Sequence, residues 1–253
     1  MLKKLLTSFL DALYVENCKC ALCGRELKDE GLSFCDACKV HLNLIENCCV
    51  RCGTPLPSDG YCPNCKNTHR FFEKNCAAAE YSGRIKDMIL KYKFGGRKYL
   101  ASAMAGLLET ALNRLGESAD LLVPVPSSPE RIKKRGFDHT ALLAGKLSLL
   151  CGIETSGGVL KRISESKPQI ESAKSERLSN LERVFEADKS VEGMSVILVD
   201  DVITTGATLN ECARALKESG ASAVYGIPVA AAEYKINFDK AAEMSEKANI
   251  FSD

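Results

Sequence analysis

Four Cys-x-x-Cys pairs follow one another early in the chain: Cys20/Cys23, Cys35/Cys38, Cys49/Cys52 and Cys62/Cys65. Eleven residues separate the first two pairs and nine separate the last two. Two thiolates three positions apart fit on one tight turn, so each pair supplies half of a tetrahedral site. Gly24 and Gly53 directly follow the second cysteine of their turns, where a residue free to take positive φ is favoured. The spacing predicts two four-thiolate zinc sites, Cys20, Cys23, Cys35 and Cys38, then Cys49, Cys52, Cys62 and Cys65. It leaves open an interleaved arrangement in which alternate pairs share a metal. Iron–sulfur ligation suits paired spacing less well, and a redox Cys-x-x-Cys protein needs one pair inside a thioredoxin-like domain rather than four in a turn-rich module. Of the 13 cysteines, eleven lie between Cys18 and Cys76; Cys18, Cys48 and Cys76 fall outside the pairs and are not expected to ligate. A module this small cannot stabilise itself by core burial, so metal supplies much of its folding free energy.

Disulfides would require an oxidising compartment, and no cleavable leader offers a route to one. Leu2, Leu5, Leu6, Phe9, Leu10 and Leu13 fall at helical spacing with Ser8 and Asp11 between them, which predicts a short amphipathic helix. No run is long enough to span a bilayer, so the expected location is the cytoplasm, with any association at the inner face of the membrane made through partners. At 253 residues, 45% hydrophobic and 26% charged, the chain suits one α/β domain plus a smaller module. A formal charge of +1 excludes a protein that binds nucleic acid by global charge alone, so any basic site must be local.

Composition divides the chain near residue 76. Residues 1–76 carry the amphipathic helix and the double zinc ribbon, residues 77–232 an α/β domain, and residues 233–253 a tail. Leu121 to Val125, Val196 to Val199 and Ala223 to Ala231 read as buried strands. Ala101 to Arg114, Thr140 to Leu150 and Leu209 to Ser219 carry helical periodicity, with Gly220 placed to end the last. Strands alternating with helices imply a mainly parallel sheet. Ser164 to Glu182 is polar and irregular, and is read as a loop able to close as a lid; the tail from Tyr234 is read as a frayed helix or a disordered end.

The run Val196-Ile197-Leu198-Val199-Asp200-Asp201-Val202-Ile203-Thr204-Thr205-Gly206-Ala207-Thr208 is the most informative stretch of this half. Four apolar residues form a strand with Asp200 and Asp201 at its carboxyl end, and Thr204 to Thr208 form a tight loop leading into a helix. Ligands bind at that end of open α/β sheets, and loop N–H groups with a helix N-terminus favour phosphate. A phosphate beside a pair of diol-accepting carboxylates describes a ribose 5-phosphate. A plain strand whose aspartates and Thr204 merely cap the next helix is the structural alternative. The run resembles the 5-phosphoribosyl-1-pyrophosphate (PRPP) motif of type I phosphoribosyltransferases. That resemblance implies that Asp200 and Asp201 hold the ribose hydroxyls and are the catalytic acids of any transfer. It also implies that Thr204, Thr205, Gly206, Ala207 and Thr208 hold the 5-phosphate, and that magnesium accompanies PRPP.

Leu122-Val123-Pro124-Val125-Pro126, followed by Arg131, Lys133, Lys134, Arg135, Gly136 and Phe137, is similar to the corresponding segment of ComF proteins, the late-competence factors connected with uptake of transforming DNA. The double cysteine module, Lys91-Tyr92-Lys93-Phe94, Lys167-Pro168-Gln169, Arg177, Asn180 and Phe185 carry the same resemblance. The chain departs from that pattern at Asp138-His139, where the family usually has Asn-Gln; His139 is read as a surface histidine. Six basic residues stand against one acid between Arg84 and Lys98, and four against none between Arg131 and Arg135. Such runs are usually solvated faces. Here they flank predicted strands, making Lys91, Lys93, Arg131, Lys133, Lys134 and Arg135 candidates for contact with pyrophosphate or single-stranded DNA. Tyr92, Phe94 and Tyr99 are placed either to stack on bases or to fill core. The resemblance implies a PRPP- and zinc-binding protein that handles single-stranded DNA with the DNA-uptake machinery. The alternatives are an active phosphoribosyltransferase of nucleotide metabolism and a regulator that senses PRPP.

Overall fold

The computed structural model describes residues 19–28, 32–163 and 183–233. The expected N-terminal helix, Cys18, the Ser164 to Glu182 loop and the tail from Tyr234 lie outside the described residues.

Two short helices, α1 (Asp36–Lys39) and α2 (Pro63–Asn67), sit in the cysteine module. The first cysteine of each second pair, Cys35 and Cys62, occupies the N-cap of its helix, which places the second cysteine within the first turn. Gly24 and Gly53 adopt φ of +75° and +72°; at Gly53 a side chain would also meet the backbone oxygen of Asn75 at 2.8 Å.

The elements that follow are β1 (Lys74–Asn75), β2 (Ala79–Glu80), α3 (Gly83–Phe94), α4 (Leu100–Leu115), β3 (Leu121–Pro124), α5 (Pro129–Arg135), α6 (His139–Cys151), β4 (Leu160–Arg162), β5 (Phe185–Ala187), β6 (Ser195–Ile203), α7 (Ala207–Glu218) and β7 (Ala223–Ala231). The main sheet is parallel, in the order β1-β7-β6-β3, with β2 pairing further along β7. β4 and β5 form a separate antiparallel pair. The expected mainly parallel α/β domain is therefore present, behind two cysteine clusters.

Because successive strand residues point to opposite faces, the sheet divides the core in two. Leu122, Ile197, Val199 and Ile227 pack with α3, α4 and α6 on one face. Leu121, Val123, Val196, Leu198 and Val224 pack with Leu209, Cys212, Ala213 and Leu216 of α7 on the other; that helical spacing gives α7 one apolar stripe. Each cysteine cluster belongs to a different face. Cys20 and Cys38 join the first core, whereas Cys49, Cys52, Cys62 and Cys65 all join the second.

Strand β6 is longer than the four apolar residues suggest. It continues through both aspartates to Ile203, paired with β7 as far as Ala231, while pairing with β3 stops at Pro124–Val199. Asp200 and Asp201 thus lie inside the strand, beyond the end of its pairing with β3.

Candidate functional site

Past the end of β3, the chain presents Asp200, the loop 204–206 and the N-terminus of α7 around a small concavity lined by Asp200, Thr204, Thr205, Gly206, Ala207 and Thr208. Gly206 is the N-cap of α7 with φ of +73°, a conformation that excludes most side chains. The helix therefore begins at Ala207, inside the run read as a loop. Thr204, Thr205, Ala207 and Thr208 are exposed, and Thr205 Oγ1 accepts from the Ala207 N–H at 3.3 Å. Exposed hydroxyls around a helix N-terminus favour an anion by dipole and hydrogen bonding together.

The two aspartates face different surroundings, as consecutive strand residues must. Asp201 is 3% exposed, and its Oδ2 lies 2.7 Å from Lys93 Nζ and 2.8 Å from His139 Nε2. Burial alone would raise its pKa, but the His139 hydrogen bond and the Lys93 charge outweigh that and hold it below the ordinary carboxylate value. Among the described residues Asp200 has no cation in contact, and feels Lys93 only from a distance. Burial and the Asp201 charge push its pKa well above the usual range, against the hydrogen bond from the Asp201 N–H at 2.8 Å.

His139 is a correction to the sequence reading. It is 7% exposed rather than at the surface. Asp138 accepts from the N–H groups of Thr140 and Ala141 as N-cap of α6, which turns His139 inward. Its Nδ1 lies 2.9 Å from Arg135 Nη1 and 3.1 Å from Ser127 Oγ. A guanidinium can only donate, so Nδ1 accepts and Nε2 carries the proton toward Asp201. The Asp138-His139 dipeptide thus makes two separate contacts, a helix cap and a hydrogen bond to Asp201. Periodicity along α6 carries no signal for the second, because its partner is sixty-two positions away in sequence.

The basic candidates divide. Lys93 and Arg135 are half-buried beside Asp201, and the Arg135 guanidinium lies 5.2 Å from the ring centre of Phe94. Arg131, Lys133 and Lys134 are exposed on α5, away from the ion pair. Lys91 lines a different cleft, between α3 and the first cysteine cluster, with Cys23, Arg84 and Asp87. Among the aromatics, Tyr92 is core (0% exposed), whereas Phe94 and Tyr99 are 65% and 51% exposed. Arg70, not among the sequence candidates, donates to the Thr205 carbonyl at 3.3 Å.

In the cysteine module the sulfurs of Cys20, Cys23, Cys35 and Cys38 lie within 4.8 Å of one another, as do those of Cys49, Cys52, Cys62 and Cys65. The pairing is therefore sequential, not interleaved. A tetrahedral zinc site with Zn–S bonds of about 2.3 Å needs sulfurs about 3.8 Å apart; Cys23–Cys35 and Cys52–Cys62 stand at 3.8 Å and 3.7 Å. The thiols also interact electrically. Hydrogen bonding from Cys52 pulls Cys49 down to about 4, against burial, while burial and the Cys49 charge push Cys65 up to about 11. One thiolate makes the next harder to form, and a divalent cation removes that penalty. The donor set fits zinc. Cys48 and Cys76 stand outside both clusters.

Comparison with known proteins gives the same two parts. Residues 9–66 match the double zinc ribbon domain and residues 132–245 the phosphoribosyl transferase domain. The class is thus a phosphoribosyltransferase-fold protein carrying a double zinc ribbon at its head. Competence protein ComFC of Bacillus subtilis is 31% identical over 198 residues, covering 75% of this chain and 80% of that protein, and the chain belongs to the ComF family. DNA utilization protein YhgH of Salmonella typhimurium and Competence protein F of Haemophilus influenzae are each 27% identical, covering 81% of this chain and 93% of theirs. Among the described residues no helix is long and apolar enough to cross a membrane.

Proposed function

We propose that this chain binds PRPP or another 5-phosphoribosyl compound at the carboxyl edge of its sheet and acts on single-stranded DNA during DNA uptake. The observation that carries the reading is the concavity at the end of β6, where a carboxylate with no cation in contact among the described residues, Asp200, faces a hydroxyl-rich loop at a helix N-terminus. In this reading Thr204 to Thr208 receive the 5-phosphate and Asp200 meets the ribose hydroxyls. Asp201 joins from the opposite face, with Lys93 and His139 beside it. Magnesium arrives with the pyrophosphate, for which Lys93 and Arg135 stand nearest. The DNA component is supported by the names of the relatives, two competence proteins and a DNA utilization protein. Arg131, Lys133 and Lys134 on α5, with exposed Phe94 and Tyr99, supply the cations and stacking faces that single strands use.

Ribose 5-phosphate or PRPP with magnesium should raise the melting temperature, and Asp200→Ala should remove that shift. A wild-type protein indifferent to every phosphoribosyl compound would sink the pocket assignment. Single-stranded DNA binding should weaken with salt, and Lys133→Ala with Lys134→Ala should flatten the slope of log K against log salt by about 0.7 per lost phosphate contact. An unchanged slope would place the DNA elsewhere. Pyrophosphate release from PRPP with an acceptor, lost in Asp201→Ala, would add transfer chemistry to the binding role.

A further inference from the structure

Between the second cysteine cluster and the sheet, the chain passes directly over the loop that precedes α7. Arg70 donates from Nη2 to the Thr205 carbonyl at 3.3 Å. The next residue, Phe71, donates its N–H to Asn210 Oδ1 on α7 at 2.8 Å. Behind Arg70 stands Arg51, which lies between Cys49 and Cys52 on a metal-ligating turn; its Nη2 donates to the Arg70 carbonyl at 3.3 Å. Asn75, three residues beyond the fully buried Phe72, returns an N–H to the Arg51 carbonyl at 2.8 Å. A continuous set of hydrogen bonds thus runs from a Cys-x-x-Cys turn to the peptide that joins Thr205 to Gly206.

Three features describe how Arg70 is held. The Arg70 Nε is buried with no hydrogen-bond partner among the described residues, as is the Nε of Arg51 behind it, so the guanidinium directs its donors to the one carbonyl it reaches. Its guanidinium is held 5.9 Å from the Phe72 ring centre, so its direction is set by the core. Finally, it grips a carbonyl rather than an acid. In a trans peptide the carbonyl and the following N–H point opposite ways. Pinning the Thr205 oxygen toward Arg70 therefore turns the Gly206 N–H away from it, toward the concavity that Gly206 lines.

We infer that Arg70 is a positioning residue for the phosphate subsite: held by the second zinc ribbon through Arg51, it orients the Thr205–Gly206 peptide so that the Gly206 N–H donates to a phosphate monoester. The inference rests on the phosphoribosyl reading above and names the part of the zinc module that serves it. The ribbon is then a structural component of the binding site as well as a neighbour of it.

The test uses the zinc-loaded full chain and ribose 5-phosphate, followed by titration calorimetry and by the Gly206 amide resonance. In the wild type, ribose 5-phosphate should move the Gly206 amide proton downfield. Arg70→Ala should weaken binding by about ten- to hundred-fold, the range expected for one hydrogen bond to a charged group, and should abolish the Gly206 shift. Arg70→Lys should recover part of both, and Arg51→Ala should weaken binding less than Arg70→Ala. Zinc content and single-stranded DNA binding should stay at wild-type values throughout. If Arg70→Ala fails to retain its zinc, Arg70→Lys and Arg51→Ala carry the test. Variants that bind within twofold of wild type with an unchanged Gly206 shift overturn the inference and leave the phosphoribosyl reading intact. A wild type that binds no ribose 5-phosphate overturns both.

Discussion

The two faces of the sheet solve the same problem in opposite ways. On the face of α3, α4 and α6, the acid is already neutralised: Asp201 holds Lys93 and His139, and the cysteine cluster on that side is partly open, with Cys23 exposed and Cys35 half-buried. On the face of α7, the acid has no cation in contact among the described residues and the cysteine cluster is sealed, all four sulfurs belonging to buried residues of the core. A charged group satisfied within the protein contributes to folding. One left unsatisfied costs stability and waits for something outside the protein. In the proposed reading the face that carries Asp200 is the one that takes the ligand, and it is also the one with the more deeply buried cysteine cluster.

The largest effect that would break this comparison concerns the metals. Structural zinc contributes about 10–16 kcal/mol in small ribbon peptides, so Cys49→Ser, inside the sealed core, should collapse the ribbon and much of the α7 face. Cys23→Ser should lose one zinc and leave a cooperative melt. Chelator titration followed by metal release should show two phases, the open cluster emptying first; a single phase would make the clusters equivalent. Next in size is Asp201→Asn, which strands Lys93 beside a neutral amide. Breaking a buried pair costs about 3–5 kcal/mol, and a denaturant melt at neutral pH measures it. The sign with pH follows from the depressed pKa. The stabilisation from Asp201 is complete above the unfolded-state value of about 4 and is lost as pH falls through the lower folded value. The wild-type and Asp201→Asn melting curves should therefore converge on acidification, and curves that stay parallel would remove the ion pair from the account.

A smaller effect probes the open cluster. Arg84 of α3 donates from Nη1 to Cys38 Sγ at 3.0 Å. Removing such an outer contact typically weakens metal affinity about 10–100-fold, so Arg84→Ala should loosen one zinc of two in a competition assay. Equal loosening of both would deny Arg84 its side preference. The smallest effect has the opposite sign. Asp200 has a raised pKa and so destabilises the fold once ionised. Asp200→Asn should raise the melting temperature by about 2–4 °C at neutral pH, as about 1 kcal/mol does in a domain of this size, and the gain should shrink toward pH 4. A loss of stability would mean that the charge is already compensated.

How legible all this was depended on distance along the chain. The parallel sheet, three of the four long helices and both sets of zinc ligands followed from local patterns, since strand runs, helical periodicity and Cys-x-x-Cys turns are each written within a few residues; α3 was hidden in the basic run. Sequential rather than interleaved metal pairing was not so written, because both arrangements use the same turns; the sulfur positions decide it. The extension of β6 to Ile203 was hidden because acids in a strand look like its end. The partners of Asp201 were hidden for a related reason. Lys93 sat in a basic run that read as a solvated face, and His139 beside a helix cap read as surface. Arg70 carried no motif at all, and only the path of the ribbon over the loop before α7 gives it a role.

One feature of α3 constrains how this protein can vary. Lys93 follows Arg84 by nine positions, which at about 100° per residue puts the two side chains on opposite sides of the helix. One end is keyed to the sulfur of Cys38 and the other to the carboxylate of Asp201. Inserting or deleting a single residue between them would rotate one key by about a quarter turn while the other stayed engaged. The helix is therefore fixed in phase as well as in place: substitutions on its solvent side are free, but its length is not.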